Sequence, residues 1–265
     1  MPEKRHNLAI ILYGLRFSTL PYAEKLKKLS AMGYRSIQAC MEAGLGHKEH
    51  AALLSGLGME VCCMAGGLDD VAAAPGEFIA ACRAFQCDEV MIGSMLTDQR
   101  MDYEGYGRAI DMINKTAGIL KKEGVYLGYH NHAQEFRRFP NGIRGIDLLF
   151  DTLDPECVRF MPDTHWIHAG GGDILWWLNR FRGRIRYLHV KDYRVAPANF
   201  QTGIGDTDKQ FSQIGGGNLP WREIIDTATN VGVKAFIVEQ DHTYGEDPFR
   251  CAEESFNTLS ALGLV

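Results

Sequence analysis

The stretch GYHNHAQEF, residues 128–136, places His130, Asn131, His132 and Glu135 within six positions. Imidazoles titrate near neutrality and ligate metals, so two of them beside a carboxylate can move protons or hold a cation. The whole chain has nine histidines, which makes this pair a concentration. Three later stretches repeat the mixture: Asp163-Thr164-His165-Trp166, His189-Val190-Lys191-Asp192 and Glu239-Gln240-Asp241-His242. A single such group at a strand end is ordinarily a hydrogen-bonded rim residue. Two glutamates, an aspartate and a histidine brought together are different, because confined like charges raise one another's pKa. A divalent cation removes that conflict. Three oxygens and one imidazole suit Mn²⁺ or Mg²⁺, with Zn²⁺ or Co²⁺ as softer choices.

Each polar cluster follows a short apolar run, so the elements that position them can be read next. Eight such runs occur, at 8–13, 36–40, 60–65, 89–93, 125–129, 158–161, 185–190 and 235–238. Short, continuous and often β-branched or aromatic, they read as strands buried on both faces. Helical stripes lie between them. Tyr106, Ile110, Ile113, Ala117 and Leu120 share one face of 102–123, with Gly124 as the stop. Ile174, Trp177, Leu178 and Phe181 form another, as do Trp221, Ile224, Ile225 and Ala228 between Pro220 and Gly232. Asp247-Pro248 opens the last helix, with Ala252, Phe256 and Leu259 on its stripe. Eight strand–helix units predict an α/β chain folded as one (β/α)₈ TIM barrel over residues 1–265. A doubly wound sheet is the structural alternative, and the absence of GxGxxG after the first strand argues against it. In a barrel the chemistry sits at the C-terminal strand ends, where the polar clusters of strands five to eight fall. Alternation puts His130 with His132, and His189 with Lys191, on common faces. The connection 193–219 is long for a βα loop and reads as a lid or binding loop.

A net charge of −5 with no basic block argues against a nucleic-acid partner. The polar start MPEKRH is not a signal peptide, and no apolar run is long enough to span a bilayer. Seven cysteines without a CxxC pair fit a reducing cytoplasm. A homo-oligomer is compatible with the composition. The glycine runs 170–172 and 215–217 offer backbone amides that can hold phosphate, but they also serve plain turns.

In its second half the chain resembles the xylose isomerase-like TIM-barrel superfamily, in particular its sugar phosphate isomerase/epimerase branch with a YHNHxxEF strand, related to 2-keto-myo-inositol dehydratases. The matching stretches are YHNHAQEF (129–136), DTHWIHAGGGD (163–173), HVKD (189–192), GGGNLPW (215–221) and VEQD (238–241). The resemblance implies one divalent metal held by Glu, Asp, His and Glu, which fall on Glu135, Asp163, His189 and Glu239. Many relatives have a glutamate at the strand end where this chain has His130. Either Glu135 reaches back, the expectation adopted, or His130 takes the ligand place. The resemblance further implies a small sugar or polyol substrate and an enediolate formed by deprotonation next to a metal-polarised carbonyl. His130 and His132 are the expected base and acid, with Glu239 and Lys191 also in the catalytic group and Trp166 as an apolar face for a sugar ring. The leading expectation is an isomerase or epimerase of a ketose or keto-sugar. A lyase or dehydratase using the same proton abstraction is the alternative. A nuclease is disfavoured by the charge, and a non-catalytic sugar-binding barrel by the full ligand set.

Overall fold

All eight apolar runs form strands, and their order follows the chain. The fold is described from a computed structural model over residues 7–42, 44–93, 101–196 and 209–265. Strands β1 (Asn7–Ile11), β2 (Ser36–Ala39), β3 (Glu60–Gly66), β4 (Glu89–Ile92), β5 (Tyr126–His130), β6 (Val158–Met161) and β7 (Tyr187–Val190) belong to one sheet. A two-stranded antiparallel ribbon, β8 (Asp192–Val195) with β9 (Lys209–Ser212), intervenes before the eighth sheet strand, β10 (Ala235–Val238). Every pairing in the eight-stranded sheet is parallel, in the order β6-β5-β4-β3-β2-β1-β10-β7. Parallel bridges Phe160↔Ile185 and Asp163↔His189 join its two ends, so the sheet closes as a (β/α)₈ barrel.

The continuous apolar strands have a physical reason. Residues of β2, β4, β7 and β10 are buried throughout, one face toward the barrel interior and the other toward the helices. Ala9, Ile11, Cys63, Met91, Met161, Tyr187 and Ile237 form the interior cluster, separate from the larger core between strands and helices. Gly128 of β5 is part of this packing, since a β-carbon there would run into the Met91 side chain.

Helix α5 (Tyr103–Lys122) buries the stripe read from the sequence, and Asp102 caps it by accepting the Gly105 N–H at 2.6 Å. Such a cap stabilises by about 1 kcal/mol. Helices α1 (Tyr22–Met32), α2 (His47–Gly56), α4 (Pro75–Phe85), α8 (Ile174–Arg180), α9 (Trp221–Val231) and α10 (Pro248–Ala261) complete the expected set. Three short helices were not expected: α3 (Leu68–Ala73), α6 (Gly145–Thr152) and α7 (Thr164–Ala169). The last begins within the polar cluster that follows β6. The long connection 193–219 holds the β8–β9 ribbon, and its segment 197–208 lies outside the described residues. All seven cysteines are free thiols. No helix among the described residues is long and apolar enough to cross a membrane.

Candidate active site

The C-terminal ends of β5, β6, β7 and β10 deliver His130, Asp163, His189 and Glu239 to one buried point. One ligand atom from each lies within 4.8 Å of the others. His130 is the last residue of β5, and its Nδ1 faces the Met161 carbonyl at 3.3 Å. A carbonyl only accepts, so the ring N–H sits on Nδ1 and the Nε2 lone pair is left available to a cation. Asp163 is the N-cap of α7. Its Oδ1 accepts the Trp166 N–H at 2.8 Å, while its buried Oδ2 accepts no hydrogen bond. His189 Nε2 is paired with Gln38 Oε1 at 2.6 Å. Its Nδ1 then lies 2.9 Å from Glu239 Oε2 and 3.9 Å from Asp163 Oδ2.

Lys191 holds these carboxylates together. Its Nζ lies 2.8 Å from Glu239 Oε2, 3.4 Å from Asp163 Oδ2 and 3.1 Å from Asp241 Oδ2, and its side chain is 1% exposed. Burial would lower the Lys191 ammonium, but Asp163, Glu239 and Asp241 overcome it and raise the pKa, so the charge is kept. Burial would likewise raise the Glu239 carboxyl, yet Lys191 and His189 hold it well below the usual carboxylate range. Asp163 is pushed up to about 6, chiefly by burial. Burial pushes the His130 imidazole well down, and takes His132 down to about 4 with help from Lys191.

The fit to a divalent cation can be tested on these groups. Two carboxylates and two imidazoles converge, one buried carboxylate oxygen accepts no hydrogen bond, and the His130 contact to Met161 occupies Nδ1 and leaves Nε2 for a cation. Buried charge of this kind is normally paired or metal-bound. The residues therefore fit a cation of the Mg²⁺, Mn²⁺ or Zn²⁺ type, with His130 and His189 shifting the preference from the hardest ions. A cavity of about 300 Å³ opens on the group, its walls including His130, His132, His189, Lys191, Glu239 and Asp241.

Glu135 is not part of this group. The structure turns its buried carboxylate to accept the Tyr129 hydroxyl and the His132 amide, both at 2.8 Å, across a 3₁₀ turn at Ala133–Phe136. In the group of four the place is taken by His130, the alternative ligand. Of the other expected residues, His132 lies beside His130 with ring centroids 4.9 Å apart, and Trp166 is half-buried 5.6 Å from His132. Lys191 Nζ sits 5.1 Å over the Trp166 ring. The glycine runs serve packing. A β-carbon at Gly170 or Gly172 would strike Phe136, and one at Gly217 would strike Asp192. The Gly215 amide donates to Asp192 Oδ2, which also accepts the Trp221 indole N–H at 2.7 Å.

Two residues of the site were missed by sequence reasoning. Gln38, which orients His189, was the lone amide within the apolar run 36–40, and that was its available signal. Asp241 lay in the last polar cluster but gave no sign that it would share Lys191 with Glu239.

Comparison with known proteins agrees with this architecture. An inosose dehydratase of Geobacillus thermodenitrificans is 32% identical over 99 residues, which is 36% of this chain and 31% of that protein. The matched stretch thus spans about a third of that relative's length. A crystal structure of a sugar phosphate isomerase/epimerase from Parabacteroides distasonis superimposes with a TM-score of 0.80 at 19% identity, covering 98% of this chain and 95% of that one. A xylose isomerase-like TIM barrel protein from Mycobacterium smegmatis, solved in complex with magnesium, superimposes with a TM-score of 0.70 at 16% identity, covering 99% and 98%. At those identities the likeness is one of fold. The xylose isomerase-like TIM barrel family itself matches residues 26–261, nearly the whole chain, and the protein belongs to that family.

Proposed function

We propose that this protein is a divalent-metal-dependent enzyme that removes a proton from carbon next to the carbonyl of a ketose or keto-sugar, and that it acts as an isomerase or epimerase. The observation that carries the reading is the convergence of His130, Asp163, His189 and Glu239 on one point, three of them on the wall of a cavity and Asp163 buried behind it with an oxygen that accepts no hydrogen bond. Those four would hold the cation, which when bound supplies Lewis-acid stabilisation to an oxygen gaining negative charge. His132 lines the same cavity without belonging to the four and is the base. It takes the proton, and the electron pair of the broken C–H bond moves onto the carbonyl oxygen to give an enediolate. Returning that proton to the former carbonyl carbon, while the adjacent hydroxyl passes its own proton to the enediolate oxygen, gives an isomer; protonation of the original carbon on its opposite face by a second acid, with Asp241 on the cavity wall as the candidate, gives an epimer. Lys191 keeps Glu239, Asp163 and Asp241 in place, and Trp166 packs its ring against Lys191 and His132 behind the cavity wall. The free thiols fit a cytoplasmic setting.

The inosose dehydratase relatives favour a second reading. The same enediolate can lose a hydroxyl from the next carbon, taken up with a proton as water, and leave an unsaturated ketone. Asp241, whose carboxyl burial raises, lines the cavity and is the acid available for that step. NMR of a panel of ketoses, keto-inositols and keto-glycosides incubated with the metal-loaded protein in D₂O separates the two. Deuterium incorporation with retention of all oxygens supports isomerase or epimerase action, and loss of water supports the lyase. Absence of exchange on every member would refute both.

A further inference from the structure

We infer that the reaction cavity continues into a second subsite that receives a second sugar ring, joined to the reacting sugar through a glycosidic oxygen. The inference rests on the sugar reading above and adds the size and shape of the substrate. A cavity of about 400 Å³ adjoins the catalytic one and shares Ile11, Tyr13 and Gln38 with it. The two together reach well into the roughly 300–1,000 Å³ range of small-molecule sites.

The second cavity lies over the ends of β1 and β2. Leu12, Leu20 and Tyr22 supply apolar surface, and Arg16, Lys25 and Glu42 supply charge of both signs. A sugar ring needs this mixture, with a C–H face for the apolar side and hydroxyls for donors and acceptors. The Arg16 guanidinium is already committed to the Tyr13 and Asp241 carbonyls, and Lys25 and Glu42 oppose one another in sign, so a neutral polyol fits better than a phosphate.

Tyr13 lines both cavities. Tyr13 and Phe17 are large rings left 51% and 64% exposed. Arg16 lies 3.9 Å over the Tyr13 ring and 4.3 Å over that of Phe17, and it donates to the Asp241 carbonyl at 2.6 Å. That contact ties the segment after β1 to the one after β10, which carries a wall residue of the catalytic cavity. The aromatic row continues through His242, 5.9 Å from Phe17, to Tyr244, 4.5 Å from His242. Tyr244 has φ of 52°, a left-handed conformation costly for a residue with a β-carbon. Its amide donates to His242 Nδ1 at 2.8 Å, and its hydroxyl accepts the Phe211 N–H at 3.3 Å.

The test compares a ketohexose with the keto-disaccharide in which the same ring carries the ketone. The metal-loaded wild type should exchange the proton next to the ketone with kcat/KM at least about tenfold higher for the disaccharide. Cys40 is an exposed residue of the second cavity, and Cys40→Trp fills that space without entering the core. It should lower the disaccharide-to-hexose ratio by about tenfold or more, as should Leu20→Trp if that variant keeps the wild-type circular dichroism. Saturation-transfer NMR with the disaccharide reads the subsite without turnover, and its signal should weaken in Cys40→Trp. Exchange of the hexose with no preference for the disaccharide, or a ratio unchanged in Cys40→Trp, overturns the second subsite and leaves the proposed function standing. Saturation transfer lost in Cys40→Trp with no exchange of either sugar overturns the proposed function and leaves the subsite standing. Neither exchange nor saturation transfer in the wild type overturns both.

Discussion

Replacing Lys191 by Met should destabilise the metal-free protein strongly and the metal-loaded protein much less. Lys191 is the ammonium shared by Glu239, Asp163 and Asp241, at 2.8, 3.4 and 3.1 Å, and its own side chain is buried. At an effective dielectric near 20 each such contact is worth about 5 kcal/mol of gross attraction, most of it offset by desolvation of the ions. Removing one partner leaves the desolvation uncompensated, and for buried pairs that costs about 3–5 kcal/mol. For a chain of this size each kcal/mol moves Tm by about 2–4 °C, so the metal-free variant should melt roughly 6–20 °C below wild type. Met is close to Lys in length and apolar, so the loss reports charge and not a cavity. A divalent cation held as proposed would use the same carboxylate oxygens, and adding one should restore more stability to the variant than to the wild type by linkage. Scanning calorimetry of both proteins, with chelator and with Mn²⁺, reads both effects. A chelator-treated variant melting within 2 °C of wild type would show that Lys191 does not neutralise this site.

Glu135→Gln should lower stability by about 1–3 kcal/mol through loss of charge-assisted bonds to Tyr129 and His132, measured by urea unfolding, while bound metal is kept. His132→Asn should slow exchange of the substrate proton by about 10²–10⁴ with metal content unchanged; an unaltered rate in D₂O NMR would remove it as the base. Glu89, buried at the opposite end of the barrel beside Arg159 and Arg186, has its carboxyl raised to about 7 by burial. The folded state then holds that proton more tightly than the unfolded chain, so the contribution is full below about pH 4.5 and is lost as pH rises through 7. The loss is on the order of 3 kcal/mol. Urea unfolding at pH 5 and pH 7.5 should show it in wild type, and Glu89→Gln should flatten that slope.

The strands were legible in the sequence because burial on both faces leaves little room for polar residues. The apolar runs end within two residues of the observed strands at their C-terminal ends. The ribbon of β8 and β9 was not legible. Asp192-Tyr193-Arg194-Val195 mixes charge with apolar residues, and its partner strand lies beyond 197–208. Asp163 could be placed at a strand end, but its second role as cap of α7 was hidden, because capping depends on where the chain turns. Glu135 shows the same limit more sharply. Spacing says that a carboxylate lies five residues past His130, and only the 3₁₀ turn decides that it faces its own backbone and Tyr129.

Metal stoichiometry in purified variants tests the central claim most directly. Plasma mass spectrometry on protein loaded with Mn²⁺ and passed through a desalting column should give about one ion per chain for wild type and for Glu135→Gln. His130→Asn and Asp163→Asn, each still folded by circular dichroism, should give less than about a tenth of that. A Glu135→Gln protein stripped of metal beside a His130→Asn protein that keeps it would contradict the site described here.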